Sequence, residues 1–332
     1  MGNLVGMGRT STTVAPEFGE LEQHRRALTA YCYRMLGSPF EAEDAVQETL
    51  LRAWRGLDRF EGRAALRSWL YTIATNVCLD MLNGRKRRAL PLDLGPAGSA
   101  DGPIGDVRDA VEWIEPVPDG RVLPDADPAA VVEARETIRL AFVAALQQLP
   151  PRQRATLILC EVLRWRASEV AELLGTSTAS VNSALQRARA TLDANGRDDA
   201  PAAPLDPPDR ALLARYVEAF EAYDMDALTA LIKEDAEQSM PPFELWLRGR
   251  EQIFRWWLGP GAGCRGSRVV PAGDANGAPA FAQYRRSEHG PGHDAWALQV
   301  LDVVDGRIAG MTFFLDVEAI FPLFGLPLRL DA

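Results

Sequence analysis

Histidine and cysteine are scarce in this chain, with 3 His and 4 Cys among 332 residues. Cys32, Cys78, Cys160 and Cys264 are far apart, none forms a CxxC pair, and their neighbours are apolar helical residues. That spacing argues against a disulfide framework and a structural zinc site, and a reduced, cytoplasmic protein is expected. His289 and His293 are four apart, but Gly290, Pro291 and Gly292 make a loop between them, so no metal or other cofactor is expected. No apolar run approaches the roughly 20 residues that span a bilayer, so no membrane association is expected. The opening MGNLVGMGRTSTTVAPEFGE lacks the apolar core of a signal peptide, and residues 1–16 read as a disordered tail.

A basic excess is also missing. The formal net charge of −10 speaks at first against nucleic acid, but its distribution reverses that. Counting Lys+Arg against Asp+Glu, residues 1–88 carry 13 and 10, 89–128 carry 2 and 9, 129–197 carry 9 and 6, and 198–332 carry 12 and 21. Two mildly basic segments (+3 each) therefore flank an acidic one (−7), and an acidic C-terminal part (−9) follows. Such an excess implies modest phosphate attraction, with a partner protein supplying much of any DNA affinity.

Hydrophobic periodicity divides the chain. Helices are expected over 21–36, closed by Gly37-Ser38-Pro39, and over 41–57, acidic at its start as the helix dipole favours. A third lies in SWLYTIATNVCLDMLNGRKRR, after the polar, aromatic-bearing turn DRFEGRAAL. Residues 89–128, rich in Pro, Gly and Asp, read as an extended acidic linker. Helices return over 129–148 and 152–163, and a Pro-broken second linker covers 195–208. From 209 to 332 the character changes. Helices over 210–223 and 225–232 precede the alternating segments ELWLR, SRVVP, AFAQYR, AWALQVLDVV and RIAGMTFFL, with Asp305-Gly306 as a hairpin signal. An α+β domain with a curved antiparallel sheet is expected there.

The stretch ASEVAELLGTSTASVNSALQRARATL at 167–192 reads as a helix-turn-helix. Ala171 is small where two helices cross, Gly175 suits a turn of positive φ, and Ser177 is placed to cap the second helix. Val181, Leu185 and Leu192 keep an inward-facing helical spacing. The opposite face carries Thr178, Asn182, Ser183, Gln186 and Arg189, hydrogen-bonding groups followed by a cation, which suits base edges and phosphates. A plain antiparallel helix pair with a polar outer face is the alternative.

Two blocks, EAEDAVQETLLRAWRGLDRFEGRAALRSWLYTIATNVCLDMLNGRKRR at 41–88 and LPPRQRATLILCEVLRWRASEVAELLGTSTASVNSALQRARATL at 149–192, together resemble a bacterial sigma factor of the extracytoplasmic-function group. The resemblance implies an all-α region 2 over 17–88, which binds core RNA polymerase and reads the minus-10 element. It also implies an all-α region 4 over 129–194, which reads the minus-35 element of promoter DNA. On the second helix, Asp44, Gln47, Glu48 and Leu51 lie at helical spacing, on the face that docks on the polymerase in such a family. Phe60 falls by resemblance, with Asn76, where the melted strand is read, and Arg63 of the same turn is grouped with them as DNA-binding. By resemblance Arg85, Lys86, Arg87 and Arg88 are placed against phosphates; read alone, they equally suit a basic cluster at a helix C-terminus. Ser180, Asn182, Ser183, Gln186 and Arg187 fall near minus-35 DNA, with Arg189 beside them. Many relatives have Arg or Lys where this chain has Asn182 and Ala184.

Beyond the second linker, ARYVEAFEAYDMDALTALIKEDAEQSMPPFELWLRGREQIFRWW and VVDGRIAGMTFFLD resemble the SnoaL-like cone fold, which certain sigma factors carry fused at this point. SnoaL relatives include polyketide cyclases and the fold hosts ketosteroid isomerases, so an enzymatic reading is the alternative, with Asp316 and Glu244 as available carboxylates. No pair has a spacing that compels catalysis. A second alternative is a ligand-sensing helix-turn-helix regulator, which leaves the 41–88 block unexplained. The expectation is therefore a non-enzymatic transcription initiation factor whose cone regulates it by intramolecular contact with the sigma blocks. The expected contact elements are Asp305, Gly306 and Arg307 of the hairpin, and Phe321 and Phe324 of the apolar tail IFPLFGLP.

Overall fold

The computed structural model describes residues 18–60, 65–125, 127–194 and 207–331. The expected N-terminal tail, Arg63, and nearly all of the second linker lie outside the described residues.

A first helical block comprises α1 (Phe18–Glu22), α2 (Arg25–Leu36), α3 (Pro39–Gly56) and α4 (Leu66–Leu82). The helix expected over 21–36 is thus broken after Glu22. Ser38 caps α3 by accepting the Glu41 N–H at 3.3 Å. Tyr31 and Thr75, both buried, share a 2.7 Å hydrogen bond that fixes α2 on α4. A connector with one helical turn, α5 (Asp119–Val122), leads to a second block of α6 (Pro128–Glu136), α7 (Leu140–Gln147), α8 (Pro151–Leu157), α9 (Ala167–Leu173) and α10 (Thr178–Ala194).

The single helix expected over 129–148 is two, because the carbonyls at the break leave the helical ladder for partners elsewhere. Thr137 O accepts Arg34 Nε at 3.0 Å, and Ile138 O accepts Asn276 Nδ2 at 2.6 Å.

The sheet domain holds α11 (Pro207–Ala222), α12 (Met225–Leu231), β1 (Ile232–Ser239), β2 (Trp246–Arg248), α13 (Arg250–Leu258), β3 (Arg268–Ala275), β4 (Ala278–Arg286), β5 (His293–Val304), β6 (Arg307–Phe314), α14 (Val317–Leu323) and β7 (Arg329–Leu330). Its strands run β2-β1-β6-β5-β4-β3, with β7 on β5; β1 and β6 are parallel and the other pairs antiparallel. Alternate residues serve two cores, as a pleat requires. Phe281, Ala297, Leu301, Met311 and Phe313 face the helices α11–α13, with Trp256 and Trp257. Ala280, Ala282, Leu298, Val300 and Phe314 join the same apolar core as both helical blocks.

The connector is not an extended tether. Ala100, Ile114 and Val117 are fully buried, as is most of Trp113. Trp246 Nε1 donates to Gly95 O at 2.9 Å, Gly98 N–H to Trp246 O at 2.8 Å, and Arg108 N–H to Pro242 O at 3.1 Å. Lacking helical or strand periodicity, it satisfies its backbone on the sheet domain instead.

Candidate nucleic-acid interface

The helix-turn-helix is built locally. Thr176 N–H donates to Ala171 O at 2.9 Å while Gly175 turns through φ +60°, a conformation that other residues adopt at a cost. Ser177 Oγ accepts the Ser180 N–H at 3.1 Å and starts α10. Val181, Leu185 and Ala188 are buried, and α10 packs on α8 and α9. Thr178, Ser180, Asn182, Ser183, Gln186, Arg187 and Arg189 are all exposed on the remaining surface. Arg189 is paired with Glu161, so its charge is shared before any phosphate arrives.

In the first block, Phe60 is half-buried and stacks on Trp69, with ring centroids 4.9 Å apart at 33°. Trp69 packs on the core, and Asn76, two turns further along α4, is exposed. On α3, Asp44 and Gln47 are exposed, and Glu48 accepts Arg52 Nε at 2.6 Å. Leu51 is 49% exposed and Trp54, three residues on, 52%. The sequence pattern did not single out Trp54, which widens an exposed apolar stripe of the kind that marks a docking surface.

The basic cluster expected against phosphates is engaged within the chain. Arg85 pairs with Glu41, Lys86 with Glu112 at 2.8 Å, and Arg87 bonds Gln148. Arg88 is buried, donates to Trp113 O, and lies 3.5 Å from Glu115 and 3.2 Å from Glu41. Of the connector's acids, Glu112 and Glu115 are spent on these cations. Burial raises the Glu115 carboxyl above its usual range.

Buried polar groups join the two blocks. Arg154 of α8 donates to Met35 O on α2, to Gln147 Oε1, and at 3.1 Å to Gln147 O and Leu149 O. Arg34 answers from the first block through Thr137 O and Thr137 Oγ1, at 3.0 and 2.6 Å. Desolvation lowers both guanidinium pKa values to about 10. Either remains charged at neutral pH.

One side chain reaches all of these parts. Asn276, 1% exposed, sits with φ +54° at the turn between β3 and β4. Its Nδ2 donates to Tyr33 Oη at 2.7 Å and to Ile138 O at 2.6 Å; its Oδ1 accepts the Val117 N–H at 2.9 Å. Tyr33 Oη in turn donates to Glu115 O at 2.8 Å. Gly277, at φ +73°, comes close to the second block: a Cβ there would lie 3.2 Å from both Arg135 Cβ and Arg135 O. Arg135 pairs with Asp274 at 2.9 Å, and Asp119 Oδ1 accepts the Gly277 N–H at 2.8 Å. Burial, aided by the nearby Asp274 carboxylate, raises the Asp119 pKa to about 6. Sequence reasoning missed this constellation. The Asn-Gly dipeptide between two alternating segments is the signal that could have found it.

The contact elements expected from sequence stand differently. Asp305 and Gly306 do form a hairpin turn, but Asp305 pairs with Lys233 of its own domain at 3.5 Å, and Arg307 is exposed. Phe321 is fully buried edge-to-face on Tyr284 at 5.3 Å, and Phe324 packs on the same core. Both belong to the apolar core that the sheet domain shares with the helical blocks. Of the carboxylates considered for catalysis, Glu244 pairs with Arg108, and Asp316 precedes α14 beside the connector. Inside the cone, Tyr216 Oη donates to Gln299 Oε1 at 2.9 Å, Gln299 Nε2 to Gln283 Oε1 at 2.9 Å, and Gln283 Nε2 to Ser267 Oγ at 3.0 Å.

Two helical blocks, the second presenting an exposed helix-turn-helix, with an acidic connector and a cone-like sheet domain, define a multidomain DNA-reading protein. Comparison with known proteins makes this specific. The family model for Sigma-70 region 2 matches residues 21–88, that for Sigma-70, region 4 matches 139–192, and that for the SnoaL-like domain matches 213–311. ECF RNA polymerase sigma factor SigG of Mycobacterium tuberculosis is 47% identical over 92% of this chain and 82% of its own length. SigJ of the same species is 31% identical over 73% of this chain and 72% of its own. The crystal structure of SigJ shares the fold, with a TM-score of 0.59 and 24% identity, covering 94% of this chain and all of that one. The chain belongs to the ECF RNA polymerase sigma factors, and its function is transcription initiation.

Proposed function

We propose that this sigma factor docks on core RNA polymerase through the α3 face of Asp44, Gln47, Glu48 and Leu51, and reads promoter DNA with two elements. Phe60, Arg63 and Asn76 act at the melted minus-10 strand; Ser180, Asn182, Ser183, Gln186, Arg187 and Arg189 act at minus-35. The sheet domain holds no catalytic role and regulates initiation by contact with the other two blocks, in the cytoplasm. The observation that carries the regulatory reading is Asn276, whose three side-chain bonds tie together the first block, the second block and the connector. Elements centred roughly 25 base pairs apart lie about 85 Å apart at 3.4 Å per step. Blocks joined by direct hydrogen bonds near 3 Å cannot occupy both at once. Initiation therefore requires opening, and whatever strengthens the sheet domain's grip restrains it.

The test is a pull-down with core polymerase, followed by transcription from a cognate promoter. Full chain should be retained by the polymerase, and truncation after residue 195 should change the transcript yield across a range of salt. No stable complex sinks the initiation reading. Unchanged yield on truncation sinks the regulatory one and moves ligand sensing ahead.

A further inference from the structure

The sheet domain has two poles. β3 and β4 run antiparallel, so the turn carrying Asn276 lies at one end and Arg268, Arg285 and Arg286 at the other, about 25 Å away at 3.3 Å per residue. The loop before β3 folds under that far end. Arg285 Nε donates to Gly263 O at 2.8 Å, and His293 Nε2 lies 3.3 Å from Gly266 O. Its guanidinium stacks 4.1 Å from the centroid of Trp296, itself 37% exposed, and Arg265 stacks 5.3 Å from that of Tyr223. Arg268 and Arg329 are paired with Glu221 and Asp294. Among the described residues, Arg265, Arg285 and Arg286 have no acidic partner within ion-pair distance. Residues 198–332 carry −9 overall, and this pole, which also carries the exposed Glu288, is where three cations without acidic partners gather.

We propose that this arginine pole is a second, sequence-independent DNA contact, gripping phosphates of the duplex just upstream of the minus-35 element. Three features select duplex DNA. The cations sit on a rigid sheet end and are pre-oriented by aromatic stacking, which suits fixed anions such as phosphates. The pole faces away from the turn that meets the sigma blocks, so it is free when that turn is engaged and when it is not. And only twelve residues separate Ala194, the end of α10, from Pro207; at no more than about 3.6 Å each they keep the domain within roughly 45 Å of the minus-35 helix. Tethering at that range makes even a weak phosphate contact count.

The inference rests on α10 as the minus-35 helix, and the experiment separates the two. Full-length protein with core polymerase is titrated onto promoter duplexes that end at the minus-35 element or extend two helical turns further upstream. The longer duplex should bind about tenfold more tightly at low salt, the gain from roughly two phosphate contacts, and the slope of log affinity against log salt should steepen by about 2. The variant R265A/R286A leaves the Arg285–Trp296 stack in place and should bind both duplexes alike, with the shallower slope. An undiminished length effect in that variant overturns the proposal, as does a length effect absent from the unmodified protein. Loss of polymerase affinity with the length effect intact also overturns it, in favour of an acidic protein partner. If S183A/Q186A leaves minus-35 preference unchanged, the α10 reading itself has failed.

Discussion

The polar face of α10 and the polar seam between the helical blocks are made of similar residues with opposite consequences. Asn182, Ser183, Gln186 and Arg187 stand in water, where solvent competes with every partner. Arg34, Gln147, Arg154 and Asn276 are all at least 96% buried, and each has partners fixed in place. A buried polar group left without a partner costs about 1–3 kcal/mol, whereas an exposed one returns to water. One set is thus available for recognition and nearly irrelevant to stability; the other holds the closed arrangement and is invisible to DNA. Charge count does not predict this. Arg85 to Arg88 form the densest basic run in the chain, yet every one of them is bonded internally.

The sharpest way to break the contrast is Arg154→Ala. It strands Met35 O, Gln147 and Leu149 O inside the apolar core and leaves a void, so the expected loss is about 3–4 kcal/mol, read by urea denaturation of the full chain. Arg154→Lys should recover only part, since a single ammonium cannot serve four acceptors in the geometry of a planar fork. A loss below about 1 kcal/mol would show that the seam contributes little.

Asn276→Gly comes next. Glycine accepts the positive φ at this turn, so the variant removes the side-chain bonds with little backbone strain. About 2 kcal/mol should be lost, less than at Arg154 because the turn lies where water can reach the freed Tyr33 hydroxyl once the domain loosens. Amide exchange at Val117 and at the α6–α7 break should rise while exchange within α2 stays slow. Uniform acceleration would mean that the turn holds the whole fold together and is no separate clasp.

Asp119 gives the seam a pH dependence of predictable sign. Its folded pKa is about 6 against an ordinary value of 3.8, so the native state binds the extra proton between those limits. The contribution is fully present below about pH 4 and is lost as pH rises through 6. The full difference sets a ceiling near 3 kcal/mol, and because the window from pH 5 to 7 lies above the unfolded value, about 1 kcal/mol of it is lost there. Thermal melts of the protein and of Asp119→Asn check it: the variant should flatten the rise in stability on acidification.

How far the sequence could be read follows the same division. Surface faces and repeating patterns were legible: the caps and apolar stripe of α10, the alternating strands β3 to β6, and the exposed α3 face. What escaped was set by partners distant in sequence. The break at Thr137–Arg139 exists because Arg34 and Asn276 take its carbonyls, and nothing local announces that. The connector lacks periodicity because its order comes from backbone bonds to Trp246 and Pro242. β1 escaped beyond the helix expected to end at Ile232, since its inward positions include Gln238, a polar residue buried because Trp257 Nε1 donates to its Oε1 at 2.8 Å.

The smallest expected effect sharpens the comparison most. Gln186→Ala lies on the exposed face, one turn from Asn182 and beside the buried Leu185, and it removes no hydrogen bond among the described residues. Stability should change by less than about 0.5 kcal/mol, within the range of ordinary surface substitutions. Alanine even favours the helix slightly. Recognition should change far more: a bidentate amide reading a base edge discriminates by about 1–3 kcal/mol, so selection from a randomised upstream element should return a relaxed consensus at one position. Arg189→Ala is the internal control. It loses a phosphate contact already shared with Glu161, and should weaken all sequences alike while lowering the salt slope by no more than about 0.9. If Gln186→Ala instead weakens every sequence equally, α10 meets DNA through its backbone-facing edge. The polar face would then be a solvated surface like any other.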